Sequence, residues 1–165
     1  MTGAGKISKR NFLQASIFLG CGVLLNGVKA IAASTLKHGN RMPDEAEVHL
    51  RTWMAFGASR AIWGRNLLPE VQRNLASIAN AIVKFEPVNI LVRDVDMAAA
   101  RKLLHPDIKL IACQLDDIWA RDTGSVFAFD DMGRKSAIDF NFNGWGGKQT
   151  HAQDAKVASF MAGIA

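Results

Sequence analysis

The chain has 165 residues, of which 20 are Lys or Arg and 15 are Asp or Glu, giving a formal net charge of +5. Four of the basic residues and none of the acidic ones lie within residues 1–32, so the remainder is nearly neutral, which excludes a nucleic-acid-binding protein with a basic face. A hydrophobic content of 49% excludes a disordered chain, and two Cys exclude a disulfide scaffold. No Cys or His spacing indicates a metal site, and no cofactor is implied.

Residues 1–32 have the segment order of a secretory signal peptide. Basic residues precede an apolar stretch over 12–25, and a small-x-small cleavage pattern follows at 30–32. Residues 8–14 resemble a twin-arginine export signal, with Lys9 in the place of the first arginine. We therefore expect bacterial export machinery to deliver the protein to the periplasm or outside the cell. The alternative is an uncleaved membrane anchor.

Residues 33–165 alternate between strand and helix patterns, which predicts a mixed α/β fold. Apolar side chains at helical spacing follow Pro69, a residue that is well suited to the first turn of a helix. The predicted elements of this half are a strand over 52–56, a helix from Pro69 that ends before Pro87, a strand over 88–92, and a short Ala-rich helix capped by Asp94 or Asp96.

The second half of the chain predicts a β-hairpin and a final helix. Its elements are a strand over 108–113, a hairpin of strands 126–129 and 137–142 joined by a turn at 130–133, a Gly-rich loop at 144–147, and a helix from Gln153 with Val157, Phe160, Met161 and Ile164 on one face. The last helix lacks a C-terminal capping signal, which favours a truncated chain.

The most polar stretch of the chain, residues 114–124, directly follows a predicted strand. Charged side chains at strand ends of α/β proteins commonly line a ligand crevice. On a helical turn, Trp119 and Asp122 would share a face and present an aromatic ring and a carboxylate to one planar cation, such as a guanidinium. In the alternative interpretation, Arg121 pairs with Asp116 or Asp117 to fix the loop, and Trp119 belongs to the core.

Residues 116–124 resemble the D-D-x-W-x-R-D-T-G motif of agmatine deiminases and Porphyromonas-type peptidylarginine deiminases. Three further segments resemble the same family: an opening M-P-x-E-W-E-P-H motif from Met42, an F-E-P-V turn at 85–88, and a D-W-x-F-N-A-W-G-G-K motif at 139–148. The resemblance covers residues 42–157. Departures from the family motifs include Gly57 in place of Pro.

The resemblance implies a five-bladed propeller of ββαβ units, of which this chain would form roughly the first two blades. It also implies hydrolysis of a guanidinium group. A Cys thiolate attacks the guanidinium carbon, ammonia leaves, and water hydrolyses the covalent intermediate while a His transfers protons. The substrate would be agmatine, giving N-carbamoylputrescine for putrescine biosynthesis, or peptidyl-arginine, giving citrulline. The oligomeric state is not predicted.

Carried over by motif position, Asp122 corresponds to a carboxylate that binds the guanidinium during catalysis. Trp119 corresponds to an aromatic wall beside the substrate. Asn143 and Trp145 would border the same pocket, or would instead belong to a rigid turn. The motif positions expected to be structural are Asp116, Asp117 and Arg121.

The family's catalytic His and Cys belong to a G-H-x-D segment and a C-terminal Gly-rich segment, which this sequence does not contain. Cys113 ends an apolar strand, where a buried thiol is unreactive. We therefore expect residues 33–165 to be the N-terminal part of a deiminase catalytic domain, inactive as it stands. The alternatives are an exported, non-catalytic guanidinium-binding remnant, and an amidinotransferase or dihydrolase of the same superfamily.

Overall fold

The computed structural model describes residues 39–165, so the predicted signal peptide lies outside the described residues. A three-stranded parallel sheet has the order β1-β2-β3 and consists of β1 (Thr52–Phe56), β2 (Val88–Val92) and β3 (Lys109–Ala112). The strand predictions are confirmed, with β3 one residue shorter at each end. The two crossover connections each contain a helix, as parallel pairing requires.

Helices α1 (Arg60–Ile82) and α2 (Met97–Leu103) pack on one face of this sheet. Successive side chains of a strand point to opposite faces, so Ile90 faces these helices whereas Leu91 faces away from them. The core on the helix side is formed by Phe56, Ala76, Ala79, Val88, Ile90, Val92, Ala100, Leu104 and Ile108.

Helix α1 begins at Arg60, so the prediction of a helix that starts at Pro69 is wrong. The side chain of Ser59 caps the start by accepting the N–H of Ile62 at 3.4 Å. The helix is kinked at Gly64, whose φ is 70°. Pro69 lies in the second turn after this kink, where its missing N–H removes one hydrogen bond without ending the helix. Sequence rules placed Pro69 in the first turn because they did not detect the Ser59 cap and the Gly64 kink.

Asp96 is the N-cap residue of α2, one of the two predicted alternatives, but its side chain does not make the capping bond. Both alternatives, Asp94 and Asp96, belong to a 3₁₀ turn over Asp94–Asp96. The Asp96 carboxylate instead accepts Arg93 Nε at 2.6 Å. A charge-assisted bond to arginine replaces the capping bond, and Arg93 also donates to the carbonyl of Ala58 at 2.8 Å.

The other face of the sheet is covered by elements that follow β3. These elements are the turn helix α3 (Ala120–Thr123), strands β4 (Val126–Phe129) and β5 (Lys135–Ile138), and helix α4 (Val157–Ala162). The buried residues of this second core are Ala55, Leu91, Leu115, Val157 and Met161.

The hairpin partner strand begins at Lys135, two residues earlier than predicted, and ends at Ile138 rather than residue 142. Asp130 Oδ1 accepts the N–H groups of Met132 and Arg134, both at 2.9 Å. This closes the turn tightly enough for Phe129 to pair with Lys135. After the strand, an irregular segment begins at Asp139 and leads into the Gly-rich loop.

The final helix is shorter than predicted, because a 3₁₀ turn over Asp154–Lys156 precedes α4. Val157 and Met161 are buried as expected, whereas Ile164 lies beyond the helix and is 47% exposed. Within residues 39–165 the strands form one open sheet and one hairpin, with no closed ring of blades. None of the helices in this described part is long and apolar enough to cross a membrane.

Candidate functional site

The polar loop at 114–124 follows β3 at the carboxyl edge of the parallel sheet. Gly57, directly after β1, packs beneath this loop. A Cβ at Gly57 would lie 2.3 Å from the carbonyl oxygen of Asp117 and 2.9 Å from Leu115 Cβ. The close approach therefore requires glycine at this position.

The helical turn on which Trp119 and Asp122 would share a face is present as α3, with Trp119 at its N-cap. The carbonyl of Trp119 accepts the N–H groups of Asp122 and Thr123, both at 3.0 Å, and Thr123 Oγ1 donates to the same carbonyl at 3.0 Å. Asp122 is exposed at the surface, and Trp119 is 38% exposed, so Trp119 is not a core residue. The turn thus leaves both side chains accessible to a ligand.

Trp145 joins Trp119 and Asp122 into one cluster. Its Nε1 donates to Asp122 Oδ1 at 3.3 Å, and its ring lies edge-to-face with Trp119 at a centroid distance of 5.6 Å. Phe142 packs against the other side of Trp145 at 5.1 Å, again edge-to-face. The cluster places a carboxylate beside two partly exposed indole rings, which is a suitable environment for a planar cation.

Trp145 lies in a left-handed turn over Gly144–Gly147. It has φ 54° and ψ 48°, and the three glycines of the turn also have positive φ. The conformation is costly for a residue with a Cβ, at about 1–2 kcal/mol. The side chain of Asn143 closes the turn by accepting the N–H of Gly146 at 2.9 Å. Asn143 therefore acts on the backbone of the loop, while Trp145 reaches Asp122.

Asp117 is buried, with 1% exposure, beneath the cluster. Its Oδ2 accepts Trp119 Nε1 at 2.7 Å and Gln149 Nε2 at 3.0 Å, and its Oδ1 accepts Trp63 Nε1 at 2.6 Å. All three partners of the Asp117 carboxylate are N–H donors, so the carboxylate acts only as an acceptor, as an ionised carboxylate does. The residue connects α1, the polar loop and the segment after the Gly-rich turn.

Asp116 and Asp154 hold two backbone segments together by reciprocal bonds. Asp116 Oδ2 accepts the N–H of Gln153 at 2.7 Å, and Asp154 Oδ1 accepts the N–H of Asp116 at 2.9 Å. Burial raises the pKa of Asp154, and the backbone N–H groups of Asp116 and Asp117 oppose this shift. The polar loop is thus fixed to the start of α4.

Arg121 pairs with Glu45, and not with Asp116 or Asp117 as one sequence interpretation held. Both side chains of this pair are largely exposed. Glu45 belongs to the opening segment, which also pairs with β4 through a bridge between Arg41 and Phe129. The Arg121 pair therefore attaches the opening motif to the helical turn that carries Asp122.

The His and Cys side chains of the described residues make structural contacts. His49 Nε2 lies 2.7 Å from Glu86 Oε2, and the pKa of His49 is raised by the carbonyl of Glu47 first and then by the Glu86 carboxylate. His151 packs edge-to-face on Phe142. Burial, together with the nearby Asp154, raises the pKa of the Cys113 thiol, which lowers its reactive thiolate fraction. Residues 39–165 contain no group of three or more His, Cys, Asp or Glu arranged to hold a metal.

Sequence reasoning missed three residues that support the polar loop beneath the cluster. Trp63 lies on α1, 54 positions before its partner Asp117, and no local pattern links the two residues. Gln149 directly follows the G-G-K motif, so its position next to a motif was the available signal. Asp154 was assigned to a helix start, although its burial depends on the reciprocal bonds with Asp116.

The family model of the Porphyromonas-type peptidyl-arginine deiminases matches residues 41–165. The chain thus belongs to the Porphyromonas-type peptidyl-arginine deiminase family, as the four motifs predicted. The match includes the opening segment, the polar loop with Asp122 and the Gly-rich turn with Trp145.

Individual relatives are agmatine deiminases. The chain is 37% identical over 119 residues to agmatine deiminase of Stutzerimonas stutzeri, covering 72% of this chain and 32% of that protein. It also superposes on agmatine deiminase of Enterococcus faecalis with a TM-score of 0.71 and 32% identity, covering 76% of this chain and 36% of that one. An agmatine deiminase of C. jejuni solved with substrate bound shares the fold at a TM-score of 0.66 and 21% identity. The chain spans about a third of the length of these relatives.

Proposed function

We propose that the protein is a guanidine deiminase and that residues 39–165 supply the first part of its guanidinium-binding site. The observation that carries this proposal is the Asp122–Trp145–Trp119 cluster. A guanidinium can donate two hydrogen bonds to a carboxylate and can stack on an indole ring. The cluster offers both groups within one exposed surface, on the segments that match the family.

In the proposed reaction, Asp122 orients the guanidinium so that its carbon is open to attack. Trp119 forms the wall on which the planar cation lies. Fixing an electrophile in this way removes orientational freedom before the chemical step, which is a large part of catalysis. Trp145 holds Asp122 in place through its indole N–H, and Asn143 stabilises the turn that carries Trp145.

The attacking Cys and the proton-transferring His of the proposed reaction belong to sequence that this chain does not contain. Accordingly, the 165-residue chain is expected to bind guanidinium compounds without turning them over. The finer fold that we propose for the complete enzyme is a five-bladed propeller, with the parallel sheet and the hairpin in its first two blades.

Agmatine is the proposed substrate, because relatives matched by sequence and by structure are agmatine deiminases. Peptidyl-arginine is the second candidate, favoured by the proposed export of the protein by residues 1–32. A reporter fused to residues 1–32 is expected in the periplasmic fraction, and a reporter that stays in the cytoplasm would contradict export.

The binding test is calorimetric titration of the chain with agmatine, with putrescine as the control ligand that lacks a guanidinium. We expect agmatine to bind more tightly than putrescine. Asp122→Asn should weaken agmatine binding at least about tenfold, because the neutral amide loses a charge-assisted contact. The control is Asp131→Asn on the exposed hairpin turn, which makes the same change in charge at a position away from the cluster.

The catalytic test uses the protein encoded by the complete reading frame of the gene. Formation of a ureido product from agmatine and from an arginine peptide would distinguish the two substrates. Absence of product from both substrates, together with selective agmatine binding by the chain, would support the non-catalytic guanidinium-binding protein instead. Absence of both binding and turnover would contradict the proposed function.

A further inference from the structure

The side chain of Asp117 has contacts that a loop-fixing residue alone does not need. Backbone attachment of the polar loop is already provided by the reciprocal bonds between Asp116 and Asp154. Asp117 instead directs its carboxylate at side-chain donors, two of which are indole N–H groups. A buried carboxylate is costly unless its partners are well placed, so these bonds have to be well formed to be retained.

The bond to Trp119 controls the orientation of the ring. Trp119 is 38% exposed and lies at the N-cap of a four-residue turn, where packing on one side leaves rotation about its side chain possible. A 2.7 Å bond from Nε1 to a buried, immobile acceptor removes this freedom. The ring is then held edge-to-face with Trp145, whose own N–H binds Asp122.

The same bond also affects the electrostatics of the ring. A carboxylate that accepts an indole N–H polarises this bond and increases the negative potential of the ring face. The buried negative charge lies at the edge of the Trp119 ring and adds to the attraction for a cation on the ring face. Gln149, the third donor, links the carboxylate to the segment directly after the left-handed turn of Trp145.

We propose that Asp117 is a positioning residue of the guanidinium site, which acts through the indole N–H of Trp119 and does not contact the substrate. This inference rests on the proposed function, because it concerns the affinity of the same site. It goes beyond the structural role that the motif position suggests, since it predicts a change in ligand binding that a loss of stability alone does not produce.

The test uses the 165-residue chain, agmatine titrations and ¹H–¹⁵N spectra of the indole N–H groups. Asp117→Asn leaves one neutral oxygen acceptor for three donors, and Trp119→Phe removes the indole donor, so each is expected to weaken agmatine binding about tenfold. The double variant should bind no more weakly than the weaker single variant, since the two changes act through one contact. In the unliganded Asp117→Asn spectrum, the Trp119 indole signal should move upfield as its bond to the carboxylate is lost.

Trp63→Phe is the matched control. It removes an indole N–H donor at a similar distance, 2.6 Å, from the other oxygen of the same carboxylate, Oδ1. It should lower the melting temperature yet leave agmatine affinity within about twofold. If Trp63→Phe and Trp119→Phe weaken binding equally, the network is merely structural and the inference is overturned. This pair of variants also decides the question if Asp117→Asn does not fold.

The two proposals fail in different ways. Wild-type binding of agmatine with an unchanged affinity in Asp117→Asn would overturn the positioning role alone. Absence of selective agmatine binding by the wild-type chain would overturn the proposed binding site, and the positioning role together with it.

Discussion

Asp154 shows how one buried carboxyl group links the local chemistry of the site to the stability of the chain. It is 1% exposed, its Oδ1 accepts two backbone N–H groups, and its Oδ2 has no hydrogen-bond partner among the described residues. Burial raises its pKa above the ordinary Asp value of 3.8. The folded chain therefore binds this proton more tightly than the unfolded chain does.

The sign of the pH dependence follows from this shift. As the pH rises from the ordinary Asp value through the raised pKa of Asp154, the unfolded chain releases the proton first, so the free energy of unfolding decreases. Asp154→Asn keeps an oxygen acceptor for the two N–H groups and removes the titration. Relative to this variant, the wild type should lose stability as the pH rises above the ordinary Asp value of 3.8.

Urea unfolding of both proteins across this pH range measures the effect. Parallel curves for Asp154→Asn and the wild type would contradict the raised pKa.

At the scale of elements, the site depends on two loops whose backbones need glycine for different reasons. Gly57 allows the end of β1 to approach the carbonyl of Asp117, and the obstacle there is steric. The glycines around Trp145 allow a left-handed turn, and the obstacle there is conformational. The strain is located at Trp145, the one residue of the turn that has a side chain and reaches Asp122.

Gly57→Ala should destabilise the chain by about 1–3 kcal/mol, because the added methyl group meets a backbone oxygen and Leu115. Gly163→Ala is the matched control, since its Cβ would have its nearest neighbour at 3.5 Å and its φ is negative. Chemical denaturation measures both variants. Equal stability of the two would show that the loop beneath Asp117 can move aside.

Gly146→Ala should cost about 1 kcal/mol through backbone strain alone, because φ is 80° and no atom lies within 4 Å of the added Cβ. Gly133→Ala has a similar φ of 74° and open space in the hairpin turn, so its loss of stability should be similar. We expect only Gly146→Ala to weaken agmatine binding, since its turn carries Trp145. Equal affinity of both variants would remove the turn from the site.

At the scale of the whole described unit, the parallel sheet separates two hydrophobic cores that support different parts of the structure. The core of Ile90 lies against α1 and α2 and stabilises the sheet. The core of Leu91 includes Leu115, the residue before Asp116, and lies beneath the polar loop. The central strand β2 therefore supports the fold with one face and the site with the other.

Ile90→Ala and Leu91→Ala test this separation. Both side chains are at most 1% exposed, so each truncation should cost about 2–5 kcal/mol of unfolding free energy. We expect Leu91→Ala to weaken agmatine binding at a temperature where both variants are folded, and Ile90→Ala to leave it unchanged. The same affinity in both variants would mean that the loop does not depend on the core beneath it.

The sequence alone predicted those features that depend on residues close together in the chain. The strands β1, β2 and β4, the helical turn at Trp119 and Asp122, and the family motifs all arise from local periodicity or spacing. The Pro69 helix start was mispredicted because the helix already begins after the Ser59 cap. Asp96 lies at the N-cap position, one of the two predicted, but its carboxylate binds Arg93 in place of a backbone N–H.

The tertiary structure alone decided which polar groups meet. Trp63 and Gln149 reach Asp117 from 54 and 32 positions away, and Arg121 reaches Glu45 across 76 positions. Such pairings depend on how the sheet and loops bring distant segments together, and no short-range pattern encodes them. The residue types of the candidate site are therefore readable in the sequence, whereas the pairing of the buried Asp117 carboxylate with the Trp119 indole N–H is determined by packing.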